Sequence, residues 1–423
     1  MLALRLARGA HPLVQLCRLL VTTASAGTGL LFLCTLGYAL AHPDASAGSA
    51  LRLVWCLVPL AATVYLAVCA ARTDPATRPR SGLAAIGLGP ARLMLLSALT
   101  TALATGLGSL LALLAFLHLR GDLPGTPFHG AGAAFLAADR PLPLPAALTL
   151  LALVPFAASA AAAVALRPEG EGPRRPGRRR GNAPAAPGAD SAMDVTAEEQ
   201  APGAEKQAAD GPQEIPASGL PPRAGAVPGG LPWGVAAIAA GLAVEARAGG
   251  AARFPLPDGL AGGPAGVLAG WALTALGLAL AGPAVAHLCG LLLEAGRPGA
   301  VRLLAGRGLQ QEARRIGGPL GVVCAVASGA YAMTAPYAGA RLSFGPLTTL
   351  GALLVAGCAL AALTTAAIEV RQARAGTVAA LVRLGAPVAL LRSAALLRAA
   401  ALVLVFGPLT WAVAELAAMP LKG

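Results

Sequence analysis

The decisive stretch is RQARAGTVAALVRLG, residues Arg371–Gly385, which lies between two long apolar runs. It starts with arginine at the end of one run and closes on Leu-Gly before the next. This pattern predicts a cytoplasmic helix lying against a membrane, and we call it the second lever segment. A weaker copy, the first lever segment, is RTDPATRPRSGLAAIGLG at Arg72–Gly89. With the two Leu-Gly pairs aligned, three further pairs match: Ala84 with Ala380, Arg78 with Arg374, and Ser97 with Ser393.

The composition indicates a membrane protein that crosses the bilayer many times. The chain is 56% hydrophobic and 12% charged, with a mean hydropathy of +0.69, which excludes an ordinary soluble domain. Its apolar runs are continuous and do not alternate, so they predict helices and not the strands of a barrel. We expect an all-α protein with about nine spans, near residues 19–40, 53–71, 91–118, 143–166, 231–244, 265–293, 316–336, 344–368 and 389–417.

Charge and cysteine content fit the same class. The net charge of +13 needs no nucleic acid, because most arginines fall in loops assigned to the cytoplasm by the positive-inside rule. The seven cysteines lie in or beside apolar runs and form no C-x-x-C pattern. They are predicted to be small buried hydrophobic residues and not disulfides or metal ligands.

The order of segments predicts four regions. Residues 1–166 form a first repeat with four spans, and residues 297–423 form a second repeat with three. Between them lie a Pro-, Gly- and Ala-rich linker at 167–230, expected to be disordered and cytoplasmic, and an inserted pair of spans at 231–296. The basic cluster that begins the linker is expected to touch anionic lipid. A parallel duplication of this kind places both lever segments on one side of the membrane.

The N-terminus admits two interpretations. Residues 1–18 suit an amphipathic elbow on the cytoplasmic face, which leaves the N-terminus and the linker cytoplasmic. The rival interpretation is a signal peptide, with Ala39-Leu40-Ala41 as its cleavage site. We prefer the elbow, because VRLLAGRG at Val301–Gly308 repeats the pattern of LRLARG at Leu4–Gly9.

The lever segments resemble those of the FtsX-like permease superfamily of ABC transporters. In that family a charged helix ends in L-x-x-L-G before the chain re-enters the membrane, as Leu381–Ala386 does here, whereas Ala85–Pro90 fits less well. The layout is similar to that of permeases for antimicrobial-peptide resistance and sensing. It departs from them in three ways: no tenth span follows the ninth, the loop at 337–343 replaces a large external domain, and the closing lever elements Leu83–Gly89 and Ala379–Gly385 lack an acidic residue, with Asp74 and Glu369 the nearest.

The resemblance implies a mechanical role for the levers. The chain has no G-x-x-x-x-G-K-[ST] motif, so a permease of this kind needs a separate ABC ATPase, expected in two copies, and no cofactor of its own. The expected docking residues are Arg78, Leu83, Ile86 and Leu88 in the first lever segment, and Arg374, Val378, Leu381, Val382, Arg383 and Leu384 in the second. Arg374 and Arg383 are expected at the rim of the docking groove.

Two other interpretations of the chain stay open. Each lever could be a plain basic loop, and the chain could then be a membrane scaffold or signalling protein that recruits partners through its linker. A secondary transporter is a weaker option, because only Gly/Pro points such as Gly282-Pro283 could break a helix at mid-membrane. A DNA-binding tail is the least favoured.

Ionisable side chains within spans are costly and mark candidate functional sites. His287 is either a packed, hydrogen-bonded residue or a proton relay. Arg398 either extends toward the cytoplasmic side or lines an internal polar site together with His287. Glu245, Glu294, Glu369 and Glu415 lie near span ends, where they are expected to reach water. No catalytic triad, carboxylate pair or metal-ligand spacing occurs, so we do not expect an enzyme.

Overall fold

A computed structural model describes residues 12–44, 46–73, 90–122, 136, 138–167, 229–248, 253–255, 261–295, 299–334 and 345–422. Residues 168–228 of the predicted linker and residues 74–89 of the first lever segment lie outside these residues. The described residues of the first half form five helices: α1 (Pro12–Ala41), α2 (Ser46–Trp55), α3 (Leu57–Thr73), α4 (Pro90–Arg120) and α5 (Leu144–Ala165).

The second half contains five more helices and one short hairpin. The helices are α6 (Leu231–Ala248), α7 (Ala265–Ala295), α8 (Ala300–Thr334), α9 (Pro346–Arg383) and α10 (Val388–Lys422). Strands β1 (Arg253–Pro255) and β2 (Ala261–Pro264) pair antiparallel between α6 and α7. Proline stands at the first position of α1, α4 and α9, where its missing N–H removes no helical hydrogen bond.

The described residues contain nine helical segments long and apolar enough to cross a membrane, which confirms an all-α polytopic membrane protein. Helices α2 and α3 together form the second of these segments, Gly48–Thr73, with an interruption at Cys56. All seven cysteines are free, and six of them are buried. The prediction that they act as small hydrophobic residues is therefore confirmed.

Three segments outside the predicted spans continue a spanning helix. The fifth span does not end at residue 244, because α6 continues to Ala248. The basic segment before the seventh span is the first part of α8, which runs from Ala300 to Thr334 with Pro319 inside it. The second lever segment is the last part of α9. Good helix formers such as Ala, Leu and Arg continue the apolar helices and outweigh single glycines such as Gly306 and Gly376.

The same packing pattern occurs in both predicted repeats. Helix α1 packs on α3 and α4, and α8 packs on α9 and α10 in the corresponding way. The corresponding helices α3 and α9 also pack directly on each other. Helix α9 packs on α1 and α3 as well as on α8, so the two predicted repeats contact each other directly.

Glycines join α7 to α8 and α6 to α7. A Cβ atom at Gly282 of α7 would lie 2.0 Å from the Gly317 carbonyl oxygen of α8, and one at Gly321 would lie 2.2 Å from the Leu278 carbonyl oxygen. Gly234 of α6 similarly approaches the backbone of Ala281. Small residues allow such close contact between membrane helices, where van der Waals packing drives association.

Buried hydrogen bonds join α1 to α4 and to α3 in the first half of the chain. Ser25 of α1 donates to the Thr105 carbonyl oxygen of α4 at 2.7 Å. The hydroxyls of Thr28 in α1 and Thr63 in α3 lie 2.8 Å apart. All four residues are buried, so these hydrogen bonds satisfy groups that neither lipid nor water reaches.

Candidate functional site: the junction of the second lever segment

The second lever segment continues α9 without a break, where we expected a separate helix along the membrane. Helix α9 has 38 residues, a length of about 57 Å, whereas the hydrocarbon core of a bilayer is about 30 Å thick. Residues 346–368 carry no charged side chain and the next residue is Glu369. The charged last part of α9 is therefore expected to project beyond the apolar region.

The lever ends in a Schellman motif. The Gly385 N–H donates to the Val382 carbonyl oxygen at 3.0 Å, and the Ala386 N–H donates to the Leu381 carbonyl oxygen at 3.0 Å. Gly385 has φ +88°, a conformation that glycine adopts without steric cost. Leu384-Gly385 in the second lever segment is thus a helix stop, after which Pro387 precedes α10.

The tip of the lever exposes several apolar side chains. Val378, Val382 and Leu384 are 39%, 44% and 83% exposed, whereas Leu381 is only partly exposed. Val378 and Val382 are four residues apart and share one helix face. Arg383, one of the two residues expected at the rim, is exposed.

Two ion pairs join the base of the lever to α8. Arg374 contacts Glu312 through its Nε atom, and its Nη2 donates to the Gly308 carbonyl oxygen at 3.3 Å. Closer to the apolar part of α9, Glu369 lies 3.6 Å from Arg315. We call these four charged residues, Glu312, Arg315, Glu369 and Arg374, the lever junction. Arg374 is therefore held within the chain and does not stand free at a docking rim.

The side chain of Arg398 extends from α10 toward Gly308 of α8, where Arg374 of the lever junction also lies. Its Nε donates to the Ala394 carbonyl oxygen at 3.1 Å, so the side chain points back toward the start of α10. Its guanidinium group lies beside Gly308. This orientation agrees with the interpretation that Arg398 extends toward the end of the assembly that carries the lever.

His287 is not brought together with Arg398. It is buried within α7 and its Nε2 has no hydrogen-bond partner in the described part of the chain. No hydrogen bond or ion pair joins it to Arg398 among those residues. The expected combination of the two as one polar site is therefore not formed here.

Glu245 is the polar residue that the sequence placed wrongly. It is 0% exposed, although its position near a span end suggested contact with water. Thr274 of α7 donates to its Oε1 at 3.2 Å, while Oε2 has no partner in the described structure. Gly270 lies against its Cγ, so the glycines of the α6–α7 contact enclose the side chain.

The two lever segments start at the same end of the assembly. Helices α3 and α9 are parallel, because Thr63 contacts Cys358 at 4.0 Å and, farther along both helices, Cys69 has Glu369 among its charged neighbours. Of the first lever segment, α3 includes Arg72 and Thr73. Its expected docking residues lie outside the described residues: Arg78, Leu83, Ile86 and Leu88.

The lever junction consists of two ion pairs between α8 and α9. Within the described ranges, no group of three or more His, Cys, Asp or Glu side chains could hold a metal ion. The sequence alone favours an ion pair within α8, because Glu312 and Arg315 are three residues apart. Glu369 and Arg374 are five residues apart and do not share a helix face. Only the packing of α8 on α9 shows that these charges pair between helices.

No protein-family model, curated protein or solved structure matches this chain.

Proposed function

We propose that this chain is the membrane permease subunit of an ABC transporter of the FtsX-like type. Separate ATPase subunits, expected in two copies, would bind the two lever segments. Their ATP-driven movement would be passed to the spanning helices for export or extraction of a lipophilic or peptide substrate. The observation that carries this proposal is the continuous helix α9, which joins an exposed apolar tip to an ion-paired base.

The geometry suits transmission of force. A continuous helix keeps a fixed relation between its tip and its base, and the lever junction ties that base to α8. Because α9 also packs on α3, displacement of the tip acts on helices of both repeats. A bound ATPase can shift the equilibrium between two conformations of the helices only by the difference in its binding free energy for those two conformations.

The exposed tip offers the contact that docking requires. Val378, Val382 and Leu384 lie beyond the uncharged run of α9, so lipid tails are not expected to cover them. Burying one such side chain against a partner contributes about 1.5–3 kcal/mol. Arg383 lies beside this surface and is exposed, so it can pair with an acidic residue of a partner.

The test is purification of the tagged full chain from its native membrane in mild detergent, with the stoichiometry of any ATPase that accompanies it. We expect about two ATPases per chain, one for each lever segment. The double variant Val382→Asp and Leu384→Asp should lower recovery from about two ATPases per chain to about one, because two apolar contacts of the second lever segment are replaced by charges that must be desolvated.

Gln372→Asp is the matched control, because Gln372 is exposed on the same helix but lies six residues, about 9 Å, before Val378 and about 120° around the axis from it. It should retain ATPase recovery. Absence of any ATPase, or equal recovery with the double variant and the wild type, would contradict docking at this tip. Recovery of non-ATPase partners through the linker would instead favour the scaffold interpretation.

A further inference from the structure

Two arginines from different helices converge beside Gly308 of α8. A Cβ atom at Gly308 would lie 2.8 Å from Nη1 of Arg398 in α10 and 3.1 Å from Nη2 of Arg374 in α9. The absence of a side chain at Gly308 therefore makes room for both guanidinium groups against the backbone of α8. Because both are the ends of flexible side chains, they can move apart to hold a small group between them.

The charges around Gly308 do not balance. Arg374 is compensated by Glu312, and Arg315 by Glu369. Arg398 is partly buried, and among the described residues no carboxylate pairs with it. Its only hydrogen bond in that part of the chain is to the Ala394 carbonyl oxygen. Two neighbouring guanidinium groups repel each other, and an anion shared between them removes that repulsion.

The position of Arg398 along α10 indicates how deep its guanidinium group lies in a bilayer. Residues 399–414 carry no charged side chain and are bounded by Arg398 and Glu415. Their helical length is about 24 Å, and the two bounding side chains extend it toward the hydrocarbon thickness of about 30 Å. Because Arg398 points back toward the start of α10, its guanidinium group falls at the level of the lipid headgroups.

We infer that Arg374 and Arg398, which meet beside Gly308, form a binding site for a phosphate group. The planar guanidinium fork matches phosphate oxygens and binds two of them at once. The phosphate can come from the headgroup of an anionic membrane lipid or from soluble phosphate. This site goes beyond the proposed ATPase docking and does not require it, since none of its atoms belongs to the exposed tip.

The experiment has two arms, both with the full chain purified in detergent. In the first, the protein is incubated with equal amounts of phosphatidylglycerol and phosphatidylcholine, and native mass spectrometry counts the bound lipids. In the second, thermal unfolding is compared in sodium phosphate and sodium chloride at equal ionic strength. If the ligand is a lipid headgroup, Arg398→Gln should lower retention of phosphatidylglycerol about tenfold. If the ligand is soluble phosphate, the same variant should reduce the phosphate-dependent rise in Tm to near zero.

The matched control is Arg392→Gln, which removes an exposed arginine from the same helix and should behave as the wild type. Arg398→Lys keeps the charge but loses the fork, and should retain less ligand than the wild type. If Arg398→Gln does not elute as a single species, Gly308→Leu displaces both guanidinium groups with all charges kept and should give the same loss.

Loss in the lipid arm identifies a lipid headgroup as the phosphate source, and loss in the phosphate arm identifies soluble phosphate. If Arg398→Gln, or Gly308→Leu in its place, matches Arg392→Gln in both arms, the site does not exist. Equal retention by Arg398→Lys and the wild type would reduce the effect to general charge attraction and would also overturn the site.

Discussion

Arg374 shows how one side chain can have a role different from the one its position in the sequence suggests. Its alignment with Arg78 pointed to a docking rim, yet it pairs with Glu312 and donates to Gly308. Both members of the pair are largely shielded, with side-chain exposures of 26% and 12%. An ion pair in such an environment loses more when one partner is removed than a surface pair does.

Glu312→Lys should therefore destabilise the protein by about 1–2 kcal/mol, between the values for exposed and buried pairs. The expected cause is that Arg374 loses its partner and faces a like charge. The exchange Glu312→Arg with Arg374→Glu should restore most of the loss. Thermal unfolding in detergent measures both effects, and failure of the exchanged pair to recover stability would mean that the pair does not form.

The helices α7 and α8 show how sequence composition becomes packing. Their shared surface has glycines at Gly282, Gly317 and Gly321, where backbones approach more closely than any side chain would allow. This close approach of the two backbones gives a physical reason for these particular glycines.

Gly282→Ala should destabilise the protein by about 1–3 kcal/mol, because its Cβ would meet the rigid backbone of Gly317 and force α7 from α8. Gly407→Ala in α10 is the control, since a Cβ there meets no atom within 4 Å. It should be neutral or slightly stabilising, as alanine favours helix. Thermal unfolding of both variants checks the contact, and equal Tm values would contradict it.

At the scale of the whole molecule, α3 and α9 connect the two repeats. They are corresponding helices, they are parallel, and each precedes or includes a lever segment. Thr63 and Cys358 meet where they pack, and these positions nearly coincide when the repeats are aligned on Gly89 and Gly385. Contact between corresponding residues is expected when two copies pack around a shared axis.

This contact can be tested by a cross-link. Thr63→Cys places a second thiol beside Cys358, and mild oxidation should join them. With a protease site introduced within residues 168–224, the cut halves should stay together on a non-reducing gel. Thr63→Cys with Cys358→Ala is the control and should separate. Separation of the halves in the single variant would contradict the packing of α3 on α9.

Much of the helical plan could be predicted from the sequence, and much of the candidate site could not. Apolar runs locate nine spans because the bilayer imposes a length and a hydropathy on each one. The ends of α6, α8 and α9 were misjudged because charged residues that form good helices extend them. Whether Glu245 reaches water, or which acid binds Arg374, depends on residues far away in the chain.

The sequence by itself determined the class of the protein, the number of spans, the buried cysteines and the position of the second lever segment. These features follow from the composition of each segment, which determines its hydropathy and helix formation whatever the segment packs against. Only the tertiary structure decided that α9 packs on α3, that the lever junction pairs charges between α8 and α9, and that Arg398 joins Arg374 at Gly308. The reason is physical, since pairing and enclosure require two distant surfaces to meet.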